Sequence, residues 1–283
     1  MILLRLISGC LLVGSGIVWS EAKAGEPTNA AEAIAKKEER NAKLDRSYRA
    51  WKANLPPAQQ KWEDTLEANL GSFYFPHHVK DKLLGLETAW DYVEDVENLP
   101  RVLLIGDSIS RGYTQAVRKA LLGKANVHRA PANCGPSATG IKKLSVWLEG
   151  GPWDVIHFNF GIHDRSTSDK LYASNLEQIV LELEKTRSKL IWANTTPTVS
   201  EQNSEHFTPE RCASLNAIAS EIMQRHQIPV DDLCSLVQPR LAELQQPGNV
   251  HFTDKGYDVL GAQVAAEILE ILAAAPTQPI QVK

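Results

Sequence analysis

Apolar runs of strand length alternate with amphipathic stretches of helix length after residue 100 of this 283-residue chain. This alternation is typical of repeated βαβ units, whose helices cover both faces of a parallel sheet. Five strands are predicted, at Val102–Ile105, Ala125–His128, Asp154–Phe160, Lys189–Ala193 and Ile228–Asp232. Helices are predicted at Arg111–Leu122, Gly140–Leu148, Leu171–Arg187, Pro209–Gln227, Leu236–Leu244 and Thr253–Ala274. We therefore expect a three-layer α/β/α sandwich with a parallel sheet of about five strands.

The first 24 residues differ in pattern from the rest of the chain. Arg5 precedes an apolar stretch from Leu6 to Trp19, and Ala22-Lys23-Ala24 has the small-x-small form of a cleavage site. This pattern predicts a secretory signal peptide, residues 1–24, cleaved after Ala24. No later stretch approaches the 18 or more apolar residues that a membrane-spanning helix needs. We expect a secreted or periplasmic protein with no stable membrane insertion after cleavage.

Residues 25–100 are predicted to form a helical extension that packs on the main domain, residues 101–283. Leu44, Tyr48, Trp51 and Leu55 form one stripe of a first helix. A second helix is predicted between Pro57 and Gly71, and Ser72 to Leu99 is expected to be irregular. These residues are too few and too polar to bury a separate core.

The net charge, the hydrophobic content and the number of cysteines exclude a nucleic-acid-binding protein and a disulfide scaffold. The net charge of −4 gives nucleic acid no electrostatic attraction, and 43% hydrophobic residues suffice for one large core. Three cysteines remain after cleavage, namely Cys134, Cys212 and Cys234. Because this number is odd, a disulfide scaffold is not expected, and the sequence leaves open whether Cys212 pairs with Cys234.

The candidate chemistry begins where the first predicted strand stops at Gly106-Asp107-Ser108. Ligands of parallel sheets gather at the carboxyl ends of the strands, so Ser108 is a candidate nucleophile. An alternative is that Ser108 only caps the following helix.

A nucleophilic serine needs a base within hydrogen-bonding reach. Among eight histidines, His251 lies in a loop directly before the last predicted helix, where an imidazole can reach the edge of the sheet.

An oxyanion site needs N–H donors near the nucleophile, and two loops qualify. The first, residues 133–140, follows the second predicted strand and is rich in small residues. The second, Gly161-Ile162-His163-Asp164, follows the third predicted strand. Ordinary turn chemistry explains either loop when it is taken singly.

Taken in chain order, these segments resemble the SGNH hydrolases, also called the GDSL esterase family. The resemblance runs from Arg101 to about Ala274 and implies a flavodoxin-like sheet. Gly106-Asp107-Ser108-Ile109-Ser110 is similar to the first family block, which implies that Ser108 is the nucleophile and that its own N–H is one oxyanion donor. Val250-His251-Phe252 is similar to the last block, which supplies the base.

The resemblance also implies the other oxyanion donors. The loop at residues 133–140 is similar to the second block, whose glycine N–H we assign to Gly135, with Ala138 and Gly140 also in range. The third block has the form Gly-x-Asn-Asp, and His163 occupies its asparagine position, where a neutral imidazole can still donate one N–H. The segments Trp62-Glu63 and Gly71-Ser72-Phe73-Tyr74, with this Gly-x-His-Asp block, are similar to an environmental bacterial subgroup.

One departure concerns the residue that orients the base. The family pattern Asp-x-x-His becomes Gly248-x-x-His251, so the usual carboxylate is missing. Three replacements are conceivable: a backbone carbonyl of residues 247–249, which would give a Ser-His dyad, or the carboxylate of Asp254 or of Asp232. The dyad is the preferred hypothesis. An aspartate in the first turn of a helix, such as Asp254, usually interacts with the helix dipole, and one at a strand end, such as Asp232, usually accepts hydrogen bonds from loop amides.

We therefore expect a secreted serine esterase that hydrolyses small acyl esters, above all acetyl esters of carbohydrate. Its substrate would be a small-molecule or polysaccharide ester, and we expect no cofactor, metal or nucleic acid. Arg111, Arg165, Trp153 and Asn159 lie near predicted strand ends, where they could touch a sugar. The alternatives are a lipid esterase or thioesterase of the lysophospholipase type, and a non-catalytic binding protein that kept the fold.

Overall fold

The computed structural model describes residues 29–198 and 207–274. The predicted signal peptide lies outside the described residues. The chain divides into two compact units, Met1–Arg46 and Ser47–Lys283. Residues 47–100 therefore belong to the same unit as the sheet, whereas the domain boundaries proposed above stay a prediction.

Between residue 29 and the sheet the structure has three helices, α1 (Asn29–Ala53), α2 (Pro57–Asn69) and α3 (Gly71–Leu83). The prediction of irregular chain after Ser72 is wrong over residues 72–83, which belong to α3. The buried face of α3 carries His78, whose Nε2 lies 2.8 Å from Glu63 Oε2, and Tyr48 donates to the same oxygen at 2.6 Å. Pro76 lies inside α3, where proline is unfavourable, so the sequence did not reveal this helix although Phe75 and Val79 lie one turn apart on it.

The sheet has five parallel strands in the order β2-β1-β3-β4-β5. Their bounds are β1 Arg101–Ile105, β2 Asn126–Arg129, β3 Val155–Phe158, β4 Lys189–Ala193 and β5 Val230–Asp231. This order is the flavodoxin-like form of the doubly wound sheet. The predicted α/β/α class and the number of strands are confirmed, although β3 and β5 are shorter than predicted.

Helices flank the sheet and alternate with its strands. They are α4 (Ser108–Ala120), α5 (Ser137–Leu148), α6 (Asp169–Glu184), α7 (Pro209–Arg225), α8 (Leu233–Val237), α9 (Leu241–Leu244) and α10 (Asp254–Ala273). The single helix predicted at Leu236–Leu244 is wrong, because a 3-10 turn at Gln238–Arg240 separates α8 from α9. Pro239 lies in that turn and lacks the N–H that a continuous α-helix would need. No helix in the described parts of the chain is both long and apolar enough to span a membrane.

Close packing of α4 against α10 positions the candidate site. A Cβ at Gly112 would overlap the Tyr257 ring, and one at Gly261 would overlap Ala116, so only glycine allows this approach at both contacts. Ser108 is the first residue of α4, and His251 lies three residues before α10. The packing therefore brings the beginnings of two helices, and these two side chains, to the same edge of the sheet.

The thiols of Cys134, Cys212 and Cys234 are all free, so Cys212 and Cys234 do not form a disulfide in this structure.

Candidate active site

Ser108 stands at the turn from β1 into α4. Asp107 is the N-cap of this helix, and its side chain accepts a hydrogen bond of 2.9 Å from the Ile109 N–H. Because Asp107 caps the helix, the interpretation of Ser108 as the cap is wrong. The Ser108 hydroxyl is thus available for a different partner.

A buried arginine, which the sequence analysis did not identify, holds this turn in place. Arg129 at the end of β2 donates to the backbone carbonyls of Gly106 and Asp107, each at 2.9 Å, and to Ser110 Oγ at 2.7 Å. Its side chain is fully buried, and burial lowers the pKa of the guanidinium. A guanidinium with several fixed donors is well suited to lock a tight turn. Arg129 therefore rigidifies the backbone on both sides of the candidate nucleophile.

The structure brings Ser108 and His251 together, as the sequence analysis expected. Ser108 Oγ lies 2.8 Å from His251 Nε2, and His251 Nδ1 lies 2.6 Å from Asn249 Oδ1. The Asn249 Nδ2 donates to Gln246 Oε1 at 3.4 Å, which orients the amide with its oxygen toward the imidazole. An amide oxygen only accepts, so Nδ1 carries the proton and Nε2 is free to accept from the serine hydroxyl. This is the tautomer that a general base requires.

Asn249 corrects the hypothesis about what orients the base. The sequence analysis preferred a backbone carbonyl as the acceptor, whereas in the structure the acceptor is the side-chain amide of Asn249. Asn249 lies two residues before His251, whereas the family's usual acid lies three residues before it. Gly248, at the position of the usual acid, has φ of +65° and forms the turn. Asp232 instead caps α8 and accepts from Asn194 Nδ2 at 3.0 Å, and Asp254 is exposed in the first turn of α10. A polar acceptor in the loop just before the base is the sequence signal that could have identified Asn249.

The electrostatic surroundings keep His251 neutral. Burial lowers the pKa of His251 from its ordinary value of 6.5, and the positive charge of Arg111 lowers it further. Asp107 raises this pKa, while His163 lowers it. Desolvation and neighbouring cations both disfavour a charged imidazole. The resting residue is therefore a free base at neutral pH.

The two predicted oxyanion loops lie beside the nucleophile turn. Gly135 has φ of +67°, and the preceding residue, Cys134, donates its N–H to Gly106 O at 3.2 Å. Buried Asp164 accepts from the backbone N–H of Ser137 at 2.8 Å and from its hydroxyl at 2.7 Å, which joins the Gly135 loop to the third block. These bonds fix both loops relative to Ser108. The oxyanion roles of Ser108 N–H, Gly135 and His163 stay predictions.

His163 occupies the short 3-10 helix Ile162–Asp164. Its Nε2 lies 4.0 Å from Asp107 Oδ2, and about one third of its side chain is exposed. His163 therefore faces the nucleophile turn and remains open to solvent, as a donor to a bound ester would need to be.

The helical extension contributes directly to these surroundings. Tyr74 on α3 is half-buried, and its ring centroid lies 5.4 Å from that of Trp90. Burial raises the pKa of Tyr74, the charge of Arg111 lowers it, and a hydrogen-bonding interaction of the tyrosine hydroxyl with Ser108 also lowers it. The sequence marked Tyr74 only as part of a subgroup segment, and its position beside the nucleophile follows from the placement of α3.

The site thus combines a serine with a histidine at the exits of a parallel sheet, which is the arrangement of a serine hydrolase. Within the ranges that the structure describes, no cluster of three or more His, Cys, Asp or Glu side chains is suited to hold a metal ion.

Comparison with known proteins identifies the family. The family model for the GDSL-like lipase/acylhydrolase family matches residues 104–259, more than half of the chain. The chain belongs to this family, as the sequence blocks predicted, and is an ester-hydrolysing enzyme. No curated protein sequence matches significantly.

Solved structures share the fold at low sequence identity. A lipase/acylhydrolase from Enterococcus faecalis is 24% identical, with a TM-score of 0.56 over 64% of this chain and 100% of that one. An acetylxylan esterase from Geobacillus stearothermophilus is 17% identical, with a TM-score of 0.51 over 60% of this chain and 94% of that one. The acetyl xylan esterase AlAXEase is 14% identical, with a TM-score of 0.51 over 59% and 99%.

Proposed function

We propose that this enzyme is an exported serine esterase that removes small acyl groups, above all acetyl, from carbohydrate. The observation that carries the proposal is the 2.8 Å contact between Ser108 Oγ and His251 Nε2, with Asn249 Oδ1 at 2.6 Å behind the base. Export is inferred from residues 1–24 alone.

In the proposed mechanism, Ser108 Oγ attacks the ester carbonyl carbon and His251 Nε2 takes the hydroxyl proton. The oxygen that becomes negative is stabilised by the N–H groups of Ser108 and Gly135 and by His163. The bond to the alcohol then breaks, and His251 gives its proton to the departing alkoxide. A water attacks the acyl-enzyme, His251 takes a proton from that water, and this proton returns to Ser108 as the acid leaves. Asn249 orients the imidazole throughout.

The surroundings of Ser108 favour a small acyl group. His163, His251 and Arg111 are polar neighbours, and a fatty chain gains little free energy against polar groups. A cavity of about 280 Å³ lies along β2 and is lined by residues such as Trp62, His128 and Trp153, but neither Ser108 nor His251 lines it.

Two measurements test the proposal. A fluorophosphonate probe is expected to label the wild type, and the Ser108→Ala and His251→Ala variants are expected to lose labelling. Folded wild type that stays unlabelled would show a non-catalytic binding protein. Acetate release from acetylated xylan should exceed fatty-acid release from lysophospholipid or from an acyl thioester. The opposite order would establish the lipid esterase or thioesterase alternative.

A further inference from the structure

Arg111 lies one helical turn after Ser108 on α4 and is partly exposed. Residues three apart on a helix share a face, so the guanidinium and the nucleophile lie on the same side of α4. Its charge also lowers the pKa of His251, which is consistent with a position beside the base.

This guanidinium lacks a partner. Among the described residues, its side chain makes no hydrogen bond and has no carboxylate within ion-pair distance, and its Nε is buried without an acceptor. The neighbouring Asp107 uses one carboxylate oxygen to cap α4 and holds the other 4.0 Å from His163 Nε2. A buried donor without an acceptor costs free energy, so a bound group that supplies acceptors would be favoured here.

Two aromatic side chains hold the guanidinium in place. Arg111 Cζ lies 5.6 Å from the ring centroid of Tyr74 and 5.8 Å from that of Trp90. Cation–π contacts of this kind orient a guanidinium without using its N–H groups. Its planar donor fork thus stays available, and this fork matches the two oxygens of a carboxylate.

We infer that Arg111 is a carboxylate-binding subsite, so that the ester substrate carries an acidic group, as an O-acetylated uronic acid residue of a polysaccharide does. This inference rests on the proposed function and specifies its substrate class. Tyr74 and Trp90, which come from the helical extension, hold the Arg111 guanidinium in a fixed position relative to Ser108.

A matched pair of substrates tests the inference: a mono-O-acetylated methyl glucuronoside and the mono-O-acetylated methyl glucoside. The two differ only in carboxylate against hydroxymethyl at C6. Wild-type kcat/KM is expected to favour the acid about 10- to 100-fold at low salt, which is the range for a charge-assisted hydrogen bond. The preference should shrink as salt is added. Both substrates are measured at one pH, so a changed His251 pKa cancels in their ratio.

Arg111→Gln is expected to bring the ratio close to one, and Arg111→Lys should retain part of it because lysine keeps the charge without the fork. Lys119→Gln, which removes an exposed cation from the same helix, should leave the ratio unchanged. A wild-type ratio near one with both esters hydrolysed would overturn the inference and leave the proposed function standing. Equal losses on both esters in Arg111→Gln would also overturn it and assign Arg111 to transition-state stabilisation. If neither ester is hydrolysed and Ser108 resists the fluorophosphonate, the proposed function itself fails.

Discussion

Replacing Asn249 by alanine removes the group that orients the base. In the ground state the lost hydrogen bond joins two neutral groups, whereas in the transition state His251 carries the proton of Ser108 and the same bond becomes charge-assisted. Hydrogen bonds to charged groups are worth about 1.5–3 kcal/mol, against about 1 kcal/mol for neutral ones. The 2.6 Å contact at a half-buried site places this bond among the stronger ones. The difference of about 0.5–2 kcal/mol predicts that kcat falls about 2- to 30-fold, with a smaller change in KM.

Asn249→Asp is the matched variant, because it keeps the shape and introduces a full negative charge. The charge stabilises the imidazolium, so the pKa of His251 rises and the acidic limb of the kcat/KM profile moves to higher pH. Above this limb, kcat should equal or exceed that of the wild type.

The assay is hydrolysis of a small chromogenic acetate ester across pH, with thermal unfolding as a check on the fold. Asp254→Ala and Asp232→Ala are controls, since neither carboxylate contacts the imidazole in the structure. The reasoning is refuted if Asn249→Ala keeps kcat within twofold of the wild type. It is also refuted if Asp254→Ala or Asp232→Ala loses more activity than Asn249→Ala.

Three further outcomes are expected. The acidic limb of the wild-type kcat/KM profile should have its midpoint below pH 6.5, because His251 must be neutral to act and its pKa is lowered by burial first and then by Arg111; a midpoint above 6.5 would contradict this origin. His163→Ala should reduce kcat about 100-fold or more as an oxyanion donor is lost, and His163→Asn should recover most of it; steady-state kinetics that show no loss in the alanine variant would remove His163 from the site. Gly112→Ala should destabilise the fold by about 1–3 kcal/mol through overlap with the Tyr257 ring, seen as a lower Tm, and an unchanged Tm would mean that the Tyr257 ring moves aside without cost.

The sequence by itself determined the layered fold and identified Ser108 and His251 as the candidate catalytic pair. Strand and helix periods are local properties, so the alternation after residue 100 was enough to predict the parallel sheet. The same periods place Ser108 directly after the first strand and His251 in the loop before the last helix. Because the carboxyl ends of parallel strands lie at one edge of the sheet, both segments are expected at that edge.

The tertiary structure alone decided what surrounds those two side chains. Gly248 takes a left-handed conformation, and the turn that it forms directs the Asn249 amide, rather than an aspartate, toward His251. Tyr74 reaches the site because α3 forms despite Pro76 in its interior and is held in part by a buried polar network. The Asn249 contact depends on the turn at Gly248, and the Tyr74 contact depends on the path of α3 through space. Neither contact follows from the apolar periods that predicted the sheet.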